Sequence, residues 1–163
     1  MRKRCINELW GGRVGYEKTL GQHHKSTIWM INDLGNLFKD QGRLTEAKAM
    51  FQRALAGFEQ TVGPDHLFTS MVLKDIGLLY HDQGRLTIAE AMYQRALARK
   101  EDGLGLQHRS TLLTVSNLGN LYKDQGKIAD AGAMYERALA GFEKMLGLAH
   151  KSTLEAVNSL GNL

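Results

Sequence analysis

The chain has 163 residues, of which 43% are hydrophobic and 23% charged, a composition typical of a soluble globular protein. Its formal net charge is +4, and the basic residues are scattered without a run of like charges, which argues against a nucleic-acid partner. The single cysteine, Cys5, excludes a disulfide within the chain and favours a reducing, cytoplasmic compartment.

Residues 1–21 open with a basic stretch, MRKRCINELWGG, that lacks the apolar run of a signal peptide. No later stretch approaches the ~18 apolar residues of a membrane span, so no membrane partner is expected. Cys5–Leu20 aligns with the second helix of the repeat described below. Gly11 and Gly12 lie inside that helix and each cost about 1 kcal/mol relative to alanine. We therefore predict a degenerate, frayed half repeat over residues 1–21, with its first few residues disordered.

Seven helices are predicted after this half repeat. In the first of them, Ile31, Leu34 and Phe38 recur at helical spacing, and Gly42 supplies the left-handed turn that ends the helix. The same pattern returns along the chain, with connections of a few residues between helices. No alternating strand pattern is present, so we predict an all-α fold. The predicted helices span residues 24–41, 44–62, 68–83, 86–104, 110–125, 128–146 and 151–163.

Three stretches of the chain repeat one pattern at a fixed spacing. They begin at Leu34, Ile76 and Leu118, and the spacing is 76 − 34 = 118 − 76 = 42 residues. A period of this size is the signature of stacked helix-turn-helix repeats. We assign full repeat units to residues 34–75, 76–117 and 118–159. Residues 22–33 start the first helix, residues 160–163 are the truncated start of a fourth unit, and all belong to one domain.

Small and aromatic residues recur at fixed positions of the repeat. Gly35, Gly77 and Gly119 lie in the middle of helices, where each costs about 1 kcal/mol relative to alanine. This cost is tolerable if the missing side chain lets a neighbouring helix approach closely. Aromatic residues are expected to fill the space between helix layers. They are Phe38, Tyr80 and Tyr122 at one position and Phe51, Tyr93 and Tyr135 at another.

The repeat resembles the tetratricopeptide repeat (TPR). That family's pattern is matched in register three times, in the first copy by Leu34-Gly35, Phe38, Ala47, Phe51 and Ala54. The 42-residue period exceeds the usual ~34 residues, and glutamate replaces the usual closing proline. These two features are similar to the repeats of kinesin light chains and to C-terminal arrays of fungal NOD-like receptor proteins. The resemblance implies a right-handed TPR-type α-solenoid that belongs to a larger protein.

The resemblance also implies that the first helices line a concave face that binds a peptide or partner segment. With Ile31 and Leu34 in the core, the remaining helical positions form an exposed stripe, which we call the predicted groove. Its asparagines can donate to and accept from a peptide backbone, and its lysines add positive charge, so an acidic or polar peptide is expected. An ordinary solvated helix face is the alternative. The predicted groove contains Trp29, Asn32, Asn36, Lys39, Met71, Lys74, Leu78, His81, Leu113, Ser116, Asn120, Lys123 and Asn158, together with Glu155 and Asn162.

Histidines recur at the repeat spacing, at His24, His66, His108 and His150. Neighbouring repeats are separated by a helix-packing distance of ~8–10 Å or more, whereas zinc needs nitrogens within about 2 Å. One histidine per repeat therefore cannot share an ion, and no metal is predicted. These histidines are expected to satisfy free backbone groups at helix starts, together with a threonine such as Thr69.

No residues converge in the pattern of a catalytic site. Cys5 lies in the weakest helix, and glutamates such as Glu46, Glu59, Glu90 and Glu143 are expected on helix surfaces rather than in a shared pocket. A G-x-x-x-x-G-K-[ST] phosphate loop is absent. We therefore predict that this chain is not an enzyme and binds no cofactor.

Two alternatives to peptide binding remain open. Val157, Leu160 and Leu163 form an apolar face without a partner helix, which favours self-association of the chain as a structural spacer. The chain is accordingly expected to come from a longer array. A role as cargo adaptor of a microtubule motor is implied only by the resemblance to kinesin light chains.

Overall fold

The architecture is given by a computed structural model that describes Gly15 and residues 18–163. Within these residues seven α-helices follow a helical end at residues 18–20, and no strand occurs among them. The predicted bounds differ from the observed ones by no more than two residues at either end, so the all-α prediction is confirmed. The helices are α1 (Lys25–Asp40), α2 (Leu44–Thr61), α3 (Leu67–Asp82), α4 (Leu86–Leu104), α5 (Arg109–Asp124), α6 (Ile128–Leu146) and α7 (Lys151–Gly161).

The half repeat predicted at the start of the chain lies almost entirely outside the described residues. Of residues 1–21, only Gly15 and residues 18–21 are described. The Thr19 hydroxyl donates to the Gly15 carbonyl at 2.8 Å, a bond between residues four apart that fits a helical turn. The predicted fraying and disorder of this segment stay predictions.

The chain divides into two compact units, residues 1–79 and residues 80–163, which we call unit 1 and unit 2. Unit 1 contains α1, α2 and most of α3. Unit 2 contains the end of α3 and helices α4 to α7. Each unit contains a first helix of the repeat packed against the second helix that follows it, and the same contacts recur in both.

A glycine in the middle of the first helix allows this close packing. A Cβ atom added at Gly35 in α1 would lie 2.6 Å from Cε1 of Phe51 in α2. In unit 2, a Cβ atom at Gly119 in α5 would lie 2.6 Å from Cε1 of Tyr135 in α6. Both distances are far shorter than the ~3.5–4.0 Å of a carbon–carbon contact. The predicted close approach of the helices is therefore confirmed at these two glycines.

The aromatic residues that were expected between helix layers form much of the core. Phe51, Tyr93 and Tyr135 are each no more than 1% exposed. The other aromatic position of the repeat is less enclosed in the second and third copies, where Tyr80 and Tyr122 are half-buried, and the Tyr122 ring centroid lies 5.2 Å from the Lys127 ammonium. One aromatic position is thus a core position in all three repeats, and the second also receives surface cations.

The periodic histidines cap helices, as predicted. The Nδ1 atom of each accepts a hydrogen bond from the backbone N–H two residues later, at 3.1 or 3.2 Å. The threonine three residues after each histidine donates its hydroxyl to a glycine carbonyl in the preceding turn, as Thr111 does to Gly105 at 2.9 Å. These bonds satisfy backbone groups that a helix start and its turn leave free. The capping histidines are His24, His66, His108 and His150.

Polar side chains join neighbouring repeats within unit 2. Gln125 and Lys127, in the turn before α6, donate to the same oxygen of Glu90 in α4, at 2.9 and 3.3 Å. The hydrogen bond from Gln125, followed by the Lys127 contacts, holds the pKa of the Glu90 carboxyl below its ordinary value. An ion pair also connects Arg137 in α6 to Glu101 in α4. The repeat interface in unit 2 therefore combines an apolar core with a polar rim.

One buried position departs from the repeat pattern. Lys100 in α4 is 1% exposed, although residues 42 positions before and after it are Phe58 and Phe142. Its ammonium donates to the Thr114 hydroxyl at 2.8 Å and to the Ser110 carbonyl at 3.4 Å. A buried ammonium is tolerable only when it is hydrogen-bonded, and α5 supplies these two acceptors.

Candidate functional site

The structure places the residues of the predicted groove at different depths. Asn32 is only 2% exposed, so its predicted exposure is wrong. The half-buried members are Trp29, Asn36, Lys39, Met71, Lys74, Leu78, His81, Ser116 and Lys123, and the exposed members are Leu113, Asn120, Glu155, Asn158 and Asn162. The stripe is therefore less open than its sequence pattern indicates, and peptide binding along it stays a prediction.

A buried carboxylate explains the closure of the predicted groove in unit 1. Asp75 in α3 is 6% exposed and accepts hydrogen bonds from the Asn32 and Asn36 side-chain amides at 2.9 and 3.4 Å. The Lys74 ammonium lies 2.6 Å from its other oxygen. Asp75 thus binds the side chains of Asn32, Asn36 and Lys74, which were expected to contact a ligand. Asn32 is buried because it faces this carboxylate.

The sequence carried a signal for Asp75 that the helical-spacing argument missed. The residues at its repeat position are Asp33, Asp75, Asn117 and Ser159, so acids stand there in unit 1 and neutral residues in unit 2. Asp75 also directly follows Lys74, and a carboxylate needs partners when it is buried. The groove residues of unit 1 supply them.

Asp33→Asn is expected to stabilise the protein at neutral pH. Burial, and then the nearby Asp75 carboxylate, raise the pKa of Asp33 above its ordinary value of 3.8. A carboxyl with a raised pKa in the folded state lowers stability as pH rises through that pKa, so the penalty is complete at neutral pH. Asparagine, which Asn117 supplies at the same repeat position, removes the penalty.

Urea unfolding of the unaltered protein and of Asp33→Asn, near neutral pH and below pH 3.8, tests whether the substitution is stabilising. The gain at neutral pH should disappear at the lower pH, because Asp33 is then protonated in both the folded and unfolded states. An equal gain at both pH values would show that the carboxylate repulsion is not its cause.

Aromatic rings fill the part of unit 1 next to this network. The Trp29 ring centroid lies 5.0 Å from that of Phe58 and 5.4 Å from that of Phe68, with edge-to-face geometry in both pairs. The Phe58 and Phe68 centroids are 5.6 Å apart. Trp29 therefore packs within this three-ring cluster, which connects α1, α2 and α3, rather than standing free on the helix surface.

The basic side chains of the predicted groove already have partners within the chain. The Lys39 ammonium lies 3.5 Å from the Asp40 carboxylate. In unit 2, His81 Nε2 lies 2.7 Å from Asp124 Oδ2. The ammonium of Lys123 donates to the backbone carbonyl of Asn162 at 2.8 Å. Together with the Lys74–Asp75 pair described above, these contacts already engage the basic side chains that were expected to bind a ligand.

Unit 2 contains an open cleft lined by residues of α5, α6 and α7. Its volume is about 220 Å³. It brings together four members of the predicted groove, namely Leu113, Ser116, Asn120 and Glu155. The other lining residues are Asn117, Phe142, Ser152, Ala156 and Ser159, which the sequence argument did not select.

Side-chain size explains why this cleft is open. Each lining residue has a counterpart in unit 1 that lies two repeats, or 2 × 42 = 84 residues, earlier. Leu113 and Ser152 line the cleft, whereas the counterparts of these two residues are Trp29 and Phe68. The rings that fill the space in unit 1 are therefore absent from the corresponding space in unit 2.

Hydrogen bonds orient the polar groups of the cleft. The Tyr135 hydroxyl donates to Oδ1 of Asn120 at 2.6 Å, which leaves the amide N–H groups of Asn120 as its available donors. Burial, and then the Asp124 carboxylate, raise the pKa of Tyr135, so its hydroxyl keeps its proton. The hydroxyl of Ser116 donates to the Leu112 carbonyl at 3.2 Å, so its oxygen can still accept. The cleft therefore combines an apolar surface with both donors and acceptors.

The described part of the chain contains no group of three or more histidine, cysteine, aspartate or glutamate side chains arranged to hold a metal ion. None of its helices combines the length and the apolar character needed to cross a membrane. Besides the buried Lys100, the polar features that stand out from the repeat pattern are the Asp75 network in unit 1 and the cleft in unit 2.

Comparison with known families agrees with the architecture. A tetratricopeptide repeat model matches residues 16–102, which is more than half of the 163-residue chain, and a second model of the same description matches residues 111–151. The chain belongs to the tetratricopeptide repeat family. Such repeats generally bind proteins or peptides and generally act as non-catalytic scaffolds, so the fold implies a protein-interaction scaffold.

Solved structures show the same fold at low sequence identity. Two structures of a protein from Podosopora anserina, described as a kinesin light chain with nearly identical TPR-like repeats, have TM-scores of 0.81 and 0.79 at 20% identity. They match 99% of this chain and 76% of their own. BtubC (BKLC) from P. vanneervenii has a TM-score of 0.77 at 21% identity and matches 99% of this chain and 62% of its own. The predicted TPR fold of kinesin-light-chain type is therefore confirmed.

A more distant match is the N-terminal domain of stress-induced protein-1 from C. elegans, with a TM-score of 0.61 at 14% identity. It covers 84% of this chain and 96% of that domain. The comparison with curated proteins gives no significant match.

Proposed function

We propose that the chain is a non-catalytic protein-interaction module that binds an extended peptide segment in the cleft of unit 2. The observation that carries this proposal is the contrast between two equivalent places in the repeat. In unit 1 the space holds the Trp29 and Phe68 rings and the Asp75 network, whereas in unit 2 it is open to a volume of about 220 Å³. An open, partly apolar cleft with convergent polar groups is a natural binding site.

The chemistry of the cleft suits a peptide. Leu113 is 39% exposed, and next to the almost fully buried Phe142 and Ala156 it offers an apolar surface for a ligand side chain. The Asn120 amide can donate to a peptide carbonyl, and the Ser116 oxygen can accept from a peptide N–H. Main-chain hydrogen bonds combined with a side-chain pocket are a general mode of peptide recognition.

Filling the cleft is expected to abolish binding without unfolding the protein. The double substitution Leu113→Trp with Ser152→Phe places in unit 2 the residues that fill the same positions in unit 1. A random peptide display library is panned against the unaltered protein, and the enriched peptides are measured by fluorescence anisotropy. We expect the filled variant to bind at least about tenfold more weakly, a loss of ~1.4 kcal/mol or more.

Met145→Trp is the matched control, because it adds a ring at an exposed position of α6 that does not line the cleft. Circular dichroism and thermal unfolding establish that all variants are folded. Peptides that bind the filled variant and the unaltered protein equally well would refute the cleft as the binding site.

The wider context is part of the same proposal. The three repeats, residues 34–75, 76–117 and 118–159, would act as one TPR-like domain of a larger cytoplasmic protein. Likeness in fold to proteins described as kinesin light chains supports this setting. A receptor of the NOD-like type and a motor cargo adaptor are two such larger proteins. Immunoblotting of source cells with an antibody to the repeat would test it, since a single band near 18.2 kDa would contradict a larger parent.

Self-association is the second candidate function, and the exposure of α7 favours it. Leu154 and Val157 are 55% and 49% exposed on this helix, and Leu163 just beyond it is 40% exposed. Apolar side chains grouped on one face favour protein contacts. Light scattering over a range of concentrations tests this function. Growth in mass that Val157→Glu abolishes would support it, and a constant monomer mass would exclude it.

A further inference from the structure

The charge in the unit 2 cleft is opposite to that expected from the sequence. Glu155 is the only charged side chain among the residues that line the cleft. It is 60% exposed, and its carboxylate lies 3.6 Å from the ammonium of Lys151, which is 85% exposed. An ion pair between two such exposed side chains is weak, so the carboxylate remains able to attract another cation.

The basic side chains of the predicted groove in unit 2 have other partners. Lys123 donates to the Asn162 carbonyl at 2.8 Å, and His81 lies 2.7 Å from the Asp124 carboxylate. Neither residue lines the cleft. An acidic peptide in the cleft would therefore meet Glu155 without a compensating charge from a lining residue, and like charges at such a contact are unfavourable.

We propose that the cleft selects peptides that carry an aliphatic side chain next to a lysine or arginine, and that it rejects acidic peptides. The aliphatic side chain packs on Leu113, Phe142 and Ala156, and the basic side chain pairs with the Glu155 carboxylate. The Asn120 amide donates to a carbonyl of the peptide backbone. This inference rests on the proposed function, because it names the ligand class of the same cleft.

Charge complementarity is the reason for choosing this ligand. The lining residues contribute one carboxylate and no cation, while the remaining polar groups are neutral amides and hydroxyls. Neutral groups tolerate either sign of charge, so Glu155 decides between basic and acidic peptides. In a cleft with one apolar surface and one carboxylate, a peptide gains both contacts only if it carries both kinds of side chain.

The test compares three proteins in the same random peptide display library. They are the unaltered protein, Glu155→Lys and Glu136→Lys. Glu136 is exposed in α6 and does not line the cleft, so its substitution changes the net charge equally. Peptides enriched by the unaltered protein are then measured by fluorescence anisotropy at low and high salt, since pairing with Glu155 should weaken as salt screens it.

The unaltered protein and Glu136→Lys should enrich peptides with lysine or arginine beside leucine, isoleucine or valine. Glu155→Lys should bind those peptides roughly tenfold more weakly and should enrich acidic peptides instead. Enrichment of acidic peptides by the unaltered protein, or an unchanged preference in Glu155→Lys, would overturn the inference. In that outcome, loss of binding in Leu113→Trp with Ser152→Phe would still support the proposed function. If no peptide is captured at all, or if the filled variant binds equally, both the proposed function and this inference fail.

Discussion

Gly119→Val is expected to lower the free energy of unfolding by about 2–3 kcal/mol. The first added carbon would lie 2.6 Å from Cε1 and 2.7 Å from Cδ1 of Tyr135. That ring cannot move aside easily, because it is 1% exposed and its hydroxyl is held by Asn120 at 2.6 Å. Overpacking a well-filled core typically costs ~1–3 kcal/mol, and valine recovers only a few tenths through its better helix propensity.

Thermal and urea unfolding followed by circular dichroism measure this effect. For a chain of this size each kcal/mol lowers the melting temperature by about 2–4 °C, so a decrease of roughly 5–10 °C is expected. Gly103→Val is the matched control, because Gly103 is also helical but a Cβ atom there would meet nothing within 4 Å. The free energy of unfolding of this control should lie within ~0.5 kcal/mol of that of the unaltered protein. Equal losses in both variants would mean that packing against Tyr135 is not the cause.

Thr114→Val is expected to destabilise the protein by about 2 kcal/mol. The Thr114 hydroxyl accepts a hydrogen bond from the buried Lys100 ammonium at 2.8 Å, which is shorter than the 3.4 Å bond from the same ammonium to the Ser110 carbonyl. Hydrogen bonds to charged groups contribute ~1.5–3 kcal/mol, and a buried ammonium that loses an acceptor keeps its cost of desolvation. Valine has nearly the same shape as threonine, so the change removes only the hydroxyl, which also donates to the Ser110 carbonyl at 3.1 Å.

A double-mutant cycle with Lys100→Met isolates this interaction. In the Lys100→Met protein, Thr114→Val should cost less than about 1 kcal/mol, because no ammonium remains to be satisfied. Lys100→Met by itself should be close to neutral or stabilising, since Phe58 and Phe142 show that the position accepts apolar side chains. Urea unfolding of the four proteins gives the coupling energy. A value near zero would show that Thr114 does not stabilise the ammonium.

The repeat pattern predicted much of the fold because its physical causes are local. Apolar spacing places Ile31, Leu34 and Phe38 on one helix face, and all three are buried. A capping histidine needs only the backbone N–H two residues later, so His108 could be assigned from its position alone. A recurring mid-helix glycine such as Gly119 likewise indicated close packing before the neighbouring helix was known.

The candidate site depended on contacts between distant residues, which spacing along one helix does not show. Asn32 was expected on the surface, but it is buried because Asp75, 43 residues later, accepts its hydrogen bond at 2.9 Å. The lysines of the predicted groove were assigned to an acidic ligand, but Lys74 and Lys123 have partners within the chain. Helical periodicity indicates which face a residue occupies, but not what the opposite helix places against that face.

The sequence by itself therefore determined the helices, their caps, the 42-residue repeat and the family, because each follows from short-range spacing that recurs. Only the tertiary structure decided where the repeats leave an open cleft. The cleft of unit 2 is open because Leu113 and Ser152 stand where Trp29 and Phe68 fill unit 1. That difference depends on side-chain volumes from separate helices meeting in one space, so it became visible only when those helices were packed together.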